Sequence, residues 1–143
     1  MIFVCAMTMA QTNAYPLLPM PQNYKVTDKS FAMGKVKLST PVLKSEWEAF
    51  IVNAGGELAD KAAAEIKVEL LPVIDGVKLN PDEAYRLSVS GKLIKIEAVT
   101  ERGVYWALQT LRQLEKKKGK KSLFAGCEIV DWPAFRIRGF MQD

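Results

Sequence analysis

The residues AYRLSVSGKLIKIEAVTERGVYWALQTLRQLEKKKG, Ala84 to Gly119, decide the fold because two hydrophobic rhythms meet inside them at Thr100. Before Thr100 the period is two. Tyr85, Leu87 and Val89 alternate with Arg86 and Ser88, and after Ser90-Gly91 the run Leu93, Ile94, Ile96 and Ala98 returns. Alternation of this kind gives a strand with one buried and one wet face. Ser-Gly between two such runs marks a hairpin. After Thr100 the period becomes that of a helix: Val104, Ala107, Leu108, Leu111 and Leu114 fall on one stripe. Thr100 suits the N-cap, and Glu101 suits the positive end of the dipole. The lysines that follow suit its negative end, and Gly119 suits a stop. The spacing therefore predicts one long helix from Thr100 to Gly119.

Working outward, AEIKVELLPV (Ala64 to Val73) alternates Ile66, Val68 and Leu70 against Lys67 and Glu69, a further strand. SEWEAFIVNAGG (Ser45 to Gly56) predicts a short helix, with Ser45 and Glu48 spaced as a capping box and Gly55 or Gly56 as its stop. SFAMGKVKLST (Ser30 to Thr40) reads as one strand, and LFAGCEIVDWP (Leu123 to Pro133) as a short strand running into a turn. YPLLPMPQNYKV (Tyr15 to Val26) carries three prolines in six residues and must be extended. FRIRGFM, starting at Phe135, reads as a last strand. The expected fold class is α+β, a mainly antiparallel sheet with two helices packed on one face.

Composition narrows the chemistry. The 143 residues are 49% hydrophobic and 25% charged, one domain's worth of ordinary globular protein, with no apolar run long enough for a membrane span. There is no histidine, so Ser-His and Cys-His catalysis and His-based metal sites are excluded. The two cysteines, Cys5 and Cys127, do not make a zinc site. The net charge is +4, yet six of the 20 basic residues and one of the 16 acidic ones lie between Arg112 and Lys121. The basic balance reports that one segment and gives little support to nucleic-acid binding. No aromatic residue interleaves with these lysines. They fit a solvated helix end better than a phosphate site.

Other candidates are weak. Asp82-Glu83 sits in a proline-containing turn, and Glu46 and Glu48 lie in a helix first turn, so both read as solvated carboxylates rather than an acid–base pair. Gly55-Gly56 and Gly119 match no phosphate-loop pattern. Trp47, Tyr105 and Trp106 suit a core or a domain contact, and Trp106 stands off the apolar stripe of its helix. The first residues, MIFVCAMTMAQTNA, have the apolar and small-residue regions of a secretory leader, with Ala14 or Ala10 as the cleavage position, but lack its positive start. Export is the expectation; an apolar N-terminal strand is the other reading.

Two motifs together carry a resemblance. Gly103, Gln109, Thr110, Leu111, Gln113 and Leu114 match G-x-x-x-x-x-Q-T-L-x-Q-L, and Ile129, Asp131, Pro133, Phe135, Arg138, Gly139, Met141 and Asp143 match I-x-D-x-P-x-F-x-x-R-G-x-M-x-D. With the P-x-P-Q of Pro19 to Gln22, the chain from Tyr15 to Asp143 resembles the N-terminal region of family 20 glycoside hydrolases, the β-N-acetylhexosaminidases. The resemblance implies a small α+β domain at 15–133, after a leader at 1–14. It implies the first strand of a catalytic (β/α)8 barrel at 134–143, the rest of the barrel lying beyond. The implied activity is substrate-assisted hydrolysis of terminal β-linked N-acetylhexosamine. The implied Asp-Glu pair falls past Asp143, so no catalytic or substrate-binding residue is expected here. Arg138 and Asp143 would be barrel-strand residues with a structural role. No metal or cofactor is implied, and the implied partners are N-acetylhexosamine-containing glycans, met through the barrel. The other reading of the same fold is a stand-alone glycan- or protein-binding module.

Overall fold

A computed structural model describes residues 17–135. Ten strands, two α-helices and one short 3-10 turn follow in the order β1 (Asn23–Val26), β2 (Phe31–Ala32), β3 (Lys35–Ser39), α1 (Lys44–Asn53), β4 (Glu57–Leu58), β5 (Ala64–Leu70), the turn Pro81–Glu83, β6 (Tyr85–Val89), β7 (Leu93–Ala98), α2 (Glu101–Gln113), β8 (Glu115–Lys118), β9 (Lys121–Phe124) and β10 (Cys127–Asp131). A seven-stranded sheet has the order β1-β10-β6-β7-β5-β3-β4, and a three-stranded sheet has the order β2-β9-β8. The fold is α+β and most pairings are antiparallel, as the residue pattern requires. The pairings β7-β5, β5-β3 and β3-β4 are parallel, made possible by the crossovers through α1 and the 71–84 loop.

The predicted hairpin is present, with Leu87 opposite Ile96 and Val89 opposite Ile94. Register then aligns Ile129, Leu87, Ile96 and Val68 across four strands. Both helices cover this apolar face. The α2 stripe (Val104, Ala107, Leu108, Leu111 and Leu114) and the α1 side chains Trp47, Phe50 and Ile51 share one core with it. The other face is a charged ladder. Arg86 and Lys95 grip Glu97 at 3.1 and 2.8 Å, while Lys67 and Lys95 grip Glu69 at 2.6 and 3.4 Å. Lys95 and Arg86 hold the Glu97 carboxyl below its ordinary pKa. These side chains are half-buried and share partners, so they act as one charge network across the strands rather than as isolated surface pairs. Among the described residues no helix is long and apolar enough to cross a membrane.

Five local expectations need correction. The long helix ends at Gln113, not at Gly119. The apolar stripe stops at Leu114, so a further turn would have had only Glu115 and lysines to bury. Instead Glu115–Lys118 pairs with Lys121–Phe124 around a turn at Gly119, whose φ is 65°. The stretch Ser30–Thr40 is two strands in two sheets, because Met33 N–H bonds Ser122 O while Lys35 and Val36 pair with β4. Leu123–Pro133 likewise divides between β9 and β10. The Ser45–Glu48 capping box does not form. Helix α1 starts at Lys44 behind Leu43, and Ser45 Oγ donates to Glu46 Oε2 instead. Thr100 is the N-cap residue of α2, but its hydroxyl donates to Asp82 O in the preceding turn. The α1 stop is as expected: Gly55 has φ 79°, and Gly56 N–H and Gly55 N–H close onto Ile51 O and Val52 O. The predicted strand from Phe135 falls almost wholly outside the described residues.

Candidate functional site

The chain arrives and leaves at the same place. The leading segment Leu17–Gln22, one flank of α2 and the segment Asp131–Phe135 line a groove of about 330 Å³. Its α2 wall is Trp106, Gln109, Thr110 and Gln113, one helical face adjacent to the core stripe. Its floor is Tyr85, at the end of β6.

Five polar side chains hold this junction. Tyr85 Oη shares a hydrogen bond of 2.5 Å with Thr110 Oγ1 and donates at 3.4 Å to Asp131 Oδ2. Asp131 Oδ1 accepts from Gln22 N–H at 3.1 Å and from Trp132 N–H at 3.0 Å. Gln113 Oε1 accepts from Leu18 N–H at 2.9 Å. Asn80 Nδ2 donates at 2.7 Å to Pro133 O. One carboxylate therefore ties the incoming segment to the outgoing one, and one helix clamps the incoming segment. Burial, reinforced by the Asp131 charge, raises the Tyr85 pKa well above its ordinary value. Burial also pushes the nearby Cys127 thiol up to about 12. Both shifts keep these groups neutral and structural at physiological pH.

The rim is apolar and wet. Leu18 is 78% exposed, Met20 59% and Phe135 73%, and Tyr105 and Trp106 meet edge-to-face with ring centroids 5.2 Å apart. A side groove on the same helix is lined by Leu43, Glu83, Glu101, Arg102, Tyr105 and Trp106. Contiguous exposed apolar surface of this kind marks a region that contacts another surface or a ligand.

The other candidates do not converge. Trp47 is fully buried and packs edge-to-face on Phe50 at 5.8 Å. Glu48 pairs with Lys44, and Glu83 lies 4.0 Å from Arg102. Among the described residues no three Asp, Glu, Cys or His groups gather as a metal site. Arg138, Asp143 and Cys5 lie outside the described residues. The Tyr85–Thr110–Asp131 network was missed in sequence. The one local signal was Thr110, a hydroxyl adjoining the apolar stripe and buried at 8% exposure.

Removing the Tyr85 hydroxyl leaves Thr110 without its buried partner. The Tyr85→Phe variant is expected to lose about 1–2 kcal/mol in urea unfolding. Alkaline pH has a similar target. Because the fold holds Cys127 and Tyr85 protonated, unfolding releases their protons once pH exceeds the unfolded values. Stability contributed by Cys127 is complete below about pH 8.5 and is lost as pH climbs toward its folded value. Urea midpoints measured between pH 8 and 11 should fall, and Cys127→Ala should flatten the decline.

The family described as "Glycosyl hydrolase family 20, domain 2" matches residues 14–132. A "Beta-hexosaminidase" of Vibrio furnissii is 36% identical over 84 residues, 59% of this chain and 13% of that protein. A solved exo-β-N-acetylglucosaminidase of Vibrio harveyi, bound to N-acetylglucosamine, superposes with TM-score 0.67 at 29% identity, over 89% of this chain and 20% of its own. The chitobiase of Flavobacterium johnsoniae gives TM-score 0.60 at 26% identity, over 89% of this chain and 22% of its own. The chain thus spans about a fifth or less of the length of these relatives.

Proposed function

The chain belongs to glycosyl hydrolase family 20, as its domain 2, and from that premise we propose that it is the non-catalytic support domain of an exported β-N-acetylhexosaminidase. Its partner is a barrel that continues from the 134–143 segment. The observation that carries this reading is the junction itself: leading segment, α2 flank and outgoing segment converge on one exposed apolar rim. A rim of Leu18, Met20, Tyr105, Trp106 and Phe135 is surface that a following domain would bury. Several of the matched motif residues have physical roles in the fold, which supports this reading. Gln113 and Asp131 anchor the incoming chain, Thr110 anchors Tyr85, and Leu111 and Leu114 fill the core.

In this reading the barrel supplies the acid that protonates the leaving oxygen and the group that orients the substrate's acetamide. The domain supplies a rigid platform against which the first barrel strand starts. Arg138 and Asp143 belong to that strand, with structural roles. The chain is delivered across a membrane by its apolar first 14 residues, to the periplasm or the exterior, and meets N-acetylhexosamine-containing glycans through the barrel. No metal or cofactor takes part.

The test is an aryl N-acetylglucosaminide assay with the 143-residue chain and with the product of the coding region extended past Asp143. The extended protein is expected to turn over substrate and the 143-residue chain to show none. Turnover by the chain alone would place the active site within it and end this reading. Trp106→Ser is expected to cost the 143-residue chain about 1–2 kcal/mol, because the ring is only 38% exposed and meets Tyr105 edge-to-face, and to cost the extended protein more. In the extended protein, differential scanning calorimetry should show a lower unfolding temperature for the same substitution.

A further inference from the structure

The β8–β9 hairpin carries a cationic stripe that the support role does not use. The register sets Lys118 opposite Lys121 and Lys116 opposite Leu123, so Lys116, Lys118 and Lys121 share one face, with Lys120 at the turn beside them. All four are exposed, while Ser122 and Phe124 of the other face are buried. Among the described residues Lys118, Lys120 and Lys121 have no carboxylate within ion-pair distance. The cations Arg86, Lys67 and Lys95 of the large sheet are all paired.

Two lysines directly opposite across a strand pair repel each other. Lysine on an edge strand guards against unwanted strand addition, and β8 is such an edge. Lys121, however, lies on β9, the middle strand of its sheet, where edge protection has no use. Nor are these lysines caps for their own helix, which ends at Gln113. Lys117, on the opposite face, does serve a helix end, donating at 2.8 Å to Asn53 O in the last turn of α1.

From this arrangement we propose that the hairpin binds an acidic linear polysaccharide, whose sulfates or carboxylates lie along the lysine stripe. Side chains two apart on a strand stand about 7 Å apart. Lys116 and Lys118 on β8, with Lys121 directly opposite Lys118 and Lys120 in the adjoining turn, therefore make a short track along the hairpin, bordered on the same face by Ala32 and Leu123. A track fits a linear chain of charges, whereas a bilayer needs a broad positive plane. With alanine and leucine as its neighbours the stripe has no ring on which a base would stack. An ammonium group also takes sulfate and carboxylate alike, without the fork geometry that arginine imposes.

The test is titration of the 143-residue chain with dextran sulfate and polygalacturonate, beside neutral dextran, oligo-dT and phosphatidylglycerol vesicles. Both acidic polysaccharides are expected to bind, and to lose about tenfold or more in affinity between 50 and 200 mM salt, as released counterions require. The triple variant Lys118→Gln, Lys120→Gln, Lys121→Gln should weaken binding a further tenfold or so with its melting temperature unchanged. The variant Lys25→Gln, Lys37→Gln, Lys92→Gln makes the same charge change elsewhere and should keep affinity within about twofold. Three results would overturn the proposal: no polysaccharide binding at low salt, equal losses in the two triple variants, or tighter binding of oligo-dT or vesicles per unit charge.

Discussion

Phe124→Ala is expected to cost about 4 kcal/mol and to lower the melting temperature by roughly 10–15 °C. Phe124 is fully buried on β9 of the small sheet, 6.5 Å from the Phe31 ring of the same sheet and 5.5 Å from the Phe50 ring of α1. It joins the three-stranded sheet to the helix that covers the large one. Truncation leaves a cavity walled by two strands and a helix, none free to collapse because each is bonded elsewhere. Phe124→Leu keeps most of the volume and should cost less than about 1.5 kcal/mol. Thermal and urea unfolding followed by circular dichroism would read both. A loss under about 1.5 kcal/mol for the alanine variant would mean that the small sheet is an appendage rather than part of the core.

Gly103→Val carries an expected loss of similar size, and Gly103→Ala tests its cause. Gly103 lies in the first turns of α2, where alanine ordinarily stabilises a helix by about 1 kcal/mol over glycine. Here a β-carbon would stand 2.2 Å from Ala84 O and 2.9 Å from Ala98 Cβ. The first of these is backbone, so α2 must lift off the sheet to make room. The steric cost reverses the sign: alanine is expected to destabilise by about 2 kcal/mol net and valine by about 4 kcal/mol. A more stable alanine variant would show that the helix and the β6–β7 hairpin approach less closely than the structure has it. The family motif begins at this glycine, and close approach of helix to strand is its physical reason.

How much was legible in the residues follows from how local each feature is. The β6–β7 hairpin, the β5 strand and the α2 stripe were readable because burial of one face imposes a period, and a period needs only neighbours. Gly55 was readable as a stop because only a left-handed residue ends that helix. The Lys116–Lys118 segment was misread because lysine is an ordinary helix former. What makes it a strand is the partner Lys121–Phe124, which no local signal names. Met33 and Gly34 look like the middle of one strand. The break there exists because Met33 N–H bonds Ser122 O while Gly34 O and Val36 O accept from Glu57 and Ala59 N–H in the segment after α1. The junction network is of the same kind: Gln22 and Asp131 are 109 residues apart in the chain and 3.1 Å apart in space.

By itself the sequence determined that this is an α+β domain with one amphipathic sheet and two covering helices, and that it lacks histidine chemistry. Those properties follow from composition and from the periods of two and 3.6. Only the tertiary structure decided that the strands form two sheets with a parallel half, and that Lys118, Lys120 and Lys121 stand on a hairpin instead of at a helix end, with no carboxylate within ion-pair distance among the described residues. It also brought the beginning and end of the domain to one apolar rim. The physical reason is that hydrogen-bond partners and charge neighbours are chosen across the chain, by what the packed core leaves free, while periodicity is written along it.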